Sequence, residues 1–90
     1  MAKPVAISID DLRIERGDGR AARIHVGGPD RIGFLATVLD RMAFCGLYPH
    51  ELSVRTRPDG RAEDRFEVLG VGGAPPTPAA LEVLEKRLRG

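Results

Sequence analysis

The amino-acid sequence predicts an α+β fold, a four-stranded antiparallel sheet with two helices on one face. Three observations predict it. Apolar residues alternate with polar ones in several short stretches, the period of half-buried strands. Two other stretches space their apolar residues three and four apart, the period of amphipathic helices. Glycine- and proline-bearing turns, R-G-D-G-R, P-D-G and G-G-A-P-P, separate these stretches.

The first strand signal is Val5, Ile7 and Ile9, alternating with Ala6 and Ser8. After Asp10-Asp11 the apolar phase slips to Leu12 and Ile14, as a bulge or a break between two short strands produces. The turn Arg16 to Arg20 leads into Ala22, Ile24 and Val26, with Arg23 and His25 on the opposite face. The opening segment therefore reads as a hairpin.

The stretch I-H-V-G-G-P-D-R-I-G-F-L-A-T-V-L, Ile24 to Leu39, is the centre of the chain. Gly27, Gly28 and Pro29 mark the end of the strand. Asp30 is a preferred N-cap residue, so a helix is expected over about Arg31 to Cys45, burying Ile32, Leu35, Val38, Leu39 and Met42. Gly33 falls in its first turn, where glycine costs up to about 1 kcal/mol relative to alanine. One explanation is close helix packing. The other is that a ligand approaches the exposed N–H groups of the helix start more closely than a Cβ allows. Gly46 suits the left-handed position after the helix end.

In L-Y-P-H-E-L-S-V-R-T-R, Leu52, Val54 and Thr56 alternate with Ser53, Arg55 and Arg57. Pro49 near its start marks an edge strand, because proline cannot donate to a ladder. The turn Pro58 to Gly60 returns the chain with Ala62, Phe66 and Val68 inward. Arg61, Glu63, Arg65 and Glu67 face outward, placed for cross-strand Arg–Glu pairs. After the loop Gly72 to Pro76, Thr77 caps a last helix with Pro78 at its first position and a buried stripe of Leu81, Leu84 and Leu88. The order is ββαββα, a permutation of the βαββαβ of ferredoxin-like two-layer sandwiches.

Composition narrows the function. Ninety residues make one small domain, residues 1–20 an N-terminal strand and turn and residues 21–90 the core. A net charge of +1 offers no field that recruits nucleic acid, and the outer sheet face has no aromatic residues on which RNA bases stack. No run approaches the roughly 18 apolar residues of a membrane span. The start M-A-K-P-V has no apolar signal core, so a mature chain beginning there and a cytoplasmic location are expected. The single cysteine, Cys45, fits a reducing compartment. Two distant histidines and one cysteine make a poor metal set, and no cofactor is expected. The only serines, Ser8 and Ser53, lie in strands away from any histidine–acid pair, so no enzymatic activity is expected. His50 lies in phase with Leu52 and is read as partly buried, His25 as solvated and Asp64 as a strand-start residue holding a backbone amide.

Several of these stretches resemble one family. G-G-P-D-R-I-G-F-L is similar to the D-R-P-G-L-L signature at the first strand–helix junction of ACT domains, the small regulatory modules of amino-acid metabolism. L-Y-P-H-E-L-S-V-R-T resembles their second strand, L-x-I-H-S-A-x-I-x-T, and E-D-R-F-E-V their third, E-D-x-F-x-V. P-V-A-I-S-I-D resembles the strand before the C-terminal ACT repeats of bacterial uridylyltransferase/uridylyl-removing enzymes, the glutamine sensors of nitrogen metabolism. Ile32 stands where that family usually has proline, Pro49 where it has isoleucine, and Leu52 replaces a small residue. The resemblance implies an allosteric regulatory domain that binds a free amino acid such as glutamine where the first strand–helix loop meets the second strand of a neighbouring copy. It implies as ligand-facing residues Asp30, Arg31, Ile32, Gly33 and Phe34, with His50 and Glu51 opposite. The implied partners are the amino-acid effector, a second copy joined through the sheet edge from Glu51 to Arg57, and a regulated enzyme. The alternative is a dimerisation or protein-interaction module on the same fold without a ligand.

Overall fold

The computed structural model describes residues 8–16 and 19–89. They form β1 (Asp11–Arg16), β2 (Ala22–Pro29), α1 (Phe34–Phe44), β3 (Tyr48–Thr56), β4 (Arg61–Leu69), a 3₁₀ turn (Val71–Gly73) and α2 (Pro78–Arg89). The order ββαββα is the expected one. The sheet order is β1-β2-β4-β3 and every neighbouring pair is antiparallel. Counting β2 as the first strand, this is the ferredoxin-like order, with β1 in the place of the last strand. The expected strand signal at Val5 and Ile7 lies outside the described residues. Ile9 packs against the core, and the Asp10 N–H donates to the Gly27 carbonyl at 3.0 Å, extending the β1–β2 ladder by one bond.

One face of the sheet carries the core. Leu12, Ala22, Ile24, Val26, Ala62, Phe66 and Val68 are buried there against Phe34, Val38 and Met42 of α1 and Leu81, Leu84 and Leu88 of α2. The alternation read in β1, β2 and β4 thus places the expected residues inward. The α2 start is also as expected: Thr77 Oγ1 accepts the Ala80 N–H at 3.1 Å, with Pro78 as the first helical residue. At the α1 end, the Gly46 N–H donates to the Ala43 carbonyl and the Leu47 N–H to the Met42 carbonyl, both at 2.9 Å. With Gly46 at φ 72° this is a Schellman closure, and the buried Leu47 and Met42 supply its apolar contact. No helix among the described residues is long and apolar enough to cross a membrane.

The α1 start differs from expectation. The helix begins at Phe34, its N-cap is Gly33, and no side chain caps it. Gly33 has φ 86° and ψ −1°, a left-handed conformation that breaks helical geometry one residue before Phe34. Asp30 is therefore not the N-cap, and Ile32, expected in the core, is 97% exposed.

Candidate functional site

β3 is the edge strand that Pro49 predicts, and it extends past the cover of the helices. Directly opposed residues of an antiparallel pair share a face. Leu52 lies opposite Phe66, Val54 opposite Asp64 and Thr56 opposite Ala62, so all three point to the helix-bearing face. Leu52 and Val54 are nevertheless about half exposed, because neither helix of the described residues covers them. The ladder has a bulge between Pro49 and Glu51, which leaves His50 as the extra residue. That removes His50 from the phase of Leu52. It is exposed and lines a shallow groove on the open face of the sheet with Arg23, Glu67 and Leu69. The expectation of a partly buried His50 is thereby corrected.

The loop from Asp30 to Gly33 lies at the other end of the sheet. The Asp30 N–H donates to the Gly60 carbonyl at 2.8 Å, and its Oδ2 accepts the Thr56 hydroxyl at 3.1 Å. The carboxylate that sequence assigns to helix capping is instead used to tie the exit of β2 to the end of β3. Arg31 is exposed and its carbonyl accepts the Phe34 N–H at 3.0 Å. The Phe34 side chain belongs to the core, so only its backbone faces outward with the loop. Within one chain His50 and Glu51 are not brought to this loop. Six residue steps along the strand separate His50 from Thr56, about 20 Å at 3.3 Å per residue.

Comparison with protein-family models, with curated proteins and with solved structures found no match.

Sequence places one residue of this region at a strand start. Asp64 lies within β4 between Val26 of β2 and Val54 of β3, on the buried face, and is 3% exposed. Its Oδ1 has no hydrogen-bond partner among the described residues. Burial pushes its carboxyl above the usual range; an Arg55 backbone N–H opposes the shift, and the Asp30 carboxylate adds to it. Asp64 is thus a buried mid-strand carboxyl: the strand-start position is corrected, while the expected backbone amide is there, that of Arg55. Its phase with Phe66 and Val68 was the available signal. Thr56 carried none.

The open face is laced with charge. Arg23 pairs with Glu67 at 3.0 Å and Arg57 with Glu63 at 2.9 Å, while Glu51 lies directly opposite Glu67. The anticipated Arg–Glu pairing occurs, though Arg23 comes from β2. His25 is only partly exposed, with its Nε2 3.6 Å from Glu15. Burial and the surrounding Arg13, Arg23 and Arg65 lower its pKa, against the pull of Glu15. The described residues include no cluster of three or more His, Cys, Asp or Glu able to hold a metal ion.

Proposed function

We propose that this chain is a non-catalytic regulatory module of the ACT type that binds a free amino acid, glutamine first among candidates, at the β2–α1 junction. It acts as a dimer or larger assembly joined through β3, and it passes the signal to an enzyme it regulates. The observation that carries this reading is a meeting of opposite needs at one end of the helix-bearing face. The α1 start has neither a side-chain cap nor an acidic residue in its first turn, and free N–H groups at a helix start suit a carboxylate. Beside it stand Asp30, Thr56 and Asp64, which suit a positive group.

The dimer is supported by the register that β3 permits. Two copies pairing antiparallel about Ser53 set Leu52 opposite Val54 and Glu51 opposite Arg55 of the second copy. Each contact occurs twice by symmetry, as an isologous interface requires. The same register brings His50 of one copy level with Thr56 of the other, although His50 lies toward the open face and Thr56 toward the helix-bearing face. Registers centred on Leu52 or Val54 lose the Glu51–Arg55 match.

A ligand-free interaction module is favoured by a different observation. Ile32, Leu52 and Val54 are exposed apolar side chains, and such groups suit a protein surface as well as a small molecule. Light scattering at micromolar concentration with a thermal-shift screen of the amino acids separates the readings. A mass above 9.7 kDa and a shift with at least one amino acid are expected for the sensor, a larger mass alone for the interaction module, and a monomer removes both. Glu51→Arg should weaken the dimer, and Glu51→Arg with Arg55→Glu should restore it.

A further inference from the structure

We propose that Asp64, Asp30 and Thr56 form a seat for a primary ammonium group, so that the molecule bound here is an amine. Applied to the amino-acid reading above, on which it rests, the seat selects α-amino acids over their des-amino, hydroxy and keto counterparts. The starting observation is Asp64 itself. A carboxyl 3% exposed, with one oxygen lacking a partner among the described residues, is costly to keep in a small core unless something completes it.

Two of the protein's own cations near this end of the sheet, Arg57 and Arg61, are engaged elsewhere. Arg61 makes a two-pronged pair with Asp10, at 2.8 and 2.5 Å, and Arg57 is held by Glu63 at 2.9 Å. None of the ion pairs among the described residues includes Asp64.

The register defines the surroundings. The next row on the buried face, toward the β2 exit, is Gly28, Ala62 and Thr56. Thr56 is the only one of these with a side chain beyond a methyl group. The Ser8 backbone and the Phe34 ring close over Gly28, which leaves the exposed Thr56 as the approach on this side. Asp30 reaches over β4 to accept the Thr56 hydroxyl at 3.1 Å, which places a second carboxylate over that row. It is near enough to add to the upward shift of the Asp64 carboxyl.

An ammonium group has three donors and no acceptor. The cluster offers three acceptors: Asp64 Oδ1, the Asp30 carboxylate, and a lone pair of Thr56 Oγ1. Among the described residues no group of three or more His, Cys, Asp or Glu is placed to hold a metal ion. The uncapped α1 start fixes the polarity of a zwitterion, with its carboxylate toward the helix and its ammonium toward Asp64.

The test uses the full chain and calorimetric titration. The probes are L-glutamine, its des-amino analogue glutaramic acid, and whichever other amino acid gives the largest thermal shift, with that acid's des-amino analogue. The amino acid should bind at least about tenfold tighter than its des-amino analogue, as loss of charge-assisted hydrogen bonds implies. Asp64→Asn should lose a similar factor, and Thr56→Val, which keeps the side-chain shape, should lose severalfold. If the analogue binds equally, or if folded Asp64→Asn binds as well as the natural chain, the ammonium seat is wrong while the amino-acid reading stands. Binding of no amino acid at all overturns both. Should Asp64→Asn fail to fold, the analogue comparison and Thr56→Val decide the matter.

Discussion

Gly33→Ala is the substitution that separates a conformational reason for the glycine from a ligand-related one. With φ 86° and ψ −1°, residue 33 occupies the left-handed region, where a Cβ crowds the following carbonyl. For an ordinary L-residue that conformation costs about 1–2 kcal/mol. In a domain of this size each kcal/mol moves the melting temperature by roughly 4–8 °C. Gly33→Ala should therefore lower it by about 4–16 °C with no amino acid present, read by circular dichroism at neutral pH. Gly33→Asn should lose less, because asparagine tolerates the left-handed region. Gly33→Leu, which helix propensity alone favours, should be destabilised like alanine. Gly72 provides the control: it has φ 70° with open space around its would-be Cβ, so Gly72→Ala should carry a similar cost. If Gly33→Ala melts within about 1 °C of the natural chain, the positive φ is not what holds glycine there, and the account of the α1 start fails.

Two further outcomes follow from local chemistry. His25 favours its neutral form in the folded protein, so the stability it contributes is present above its unfolded pKa of 6.5 and is lost as pH falls through the lower folded value. Denaturant melts should weaken from pH 7 toward pH 5, and His25→Gln should flatten that slope; an unchanged slope would remove His25 as its source. Thr77→Ala removes the oxygen that accepts the Ala80 N–H and should cost about 1 kcal/mol, a fall of roughly 4–8 °C. A loss below 1 °C would mean that the α2 start is held by other contacts.

Much of the architecture was legible because its signals are local. Alternation in Ala22, Ile24 and Val26, the stripe Leu81, Leu84 and Leu88, the Thr77-Pro78 cap and the Gly46 stop each depend on residues a few positions apart. Backbone geometry alone links such spacing to a face or an end. The edge position of β3 was legible for the same reason, since Pro49 removes its own donor.

The site was less legible because its geometry depends on contacts between distant residues. Asp30 is a good capping residue by type, yet Thr56 and Gly60, far along the chain, bind its carboxylate and its N–H and draw it away from the helix. That leaves Gly33 to begin the helix and Ile32 outside the core. A one-residue bulge moved His50 out of phase, and period-two patterns have no means of announcing an extra residue. Sequence by itself determined the order of strands and helices and most of the residues on their buried faces. Only the tertiary structure decided that Asp64 is enclosed beside Asp30 and Thr56, and that Leu52 and Val54 are left uncovered. Enclosure depends on which elements stack above a strand, and that arrangement belongs to the whole sheet and its two helices.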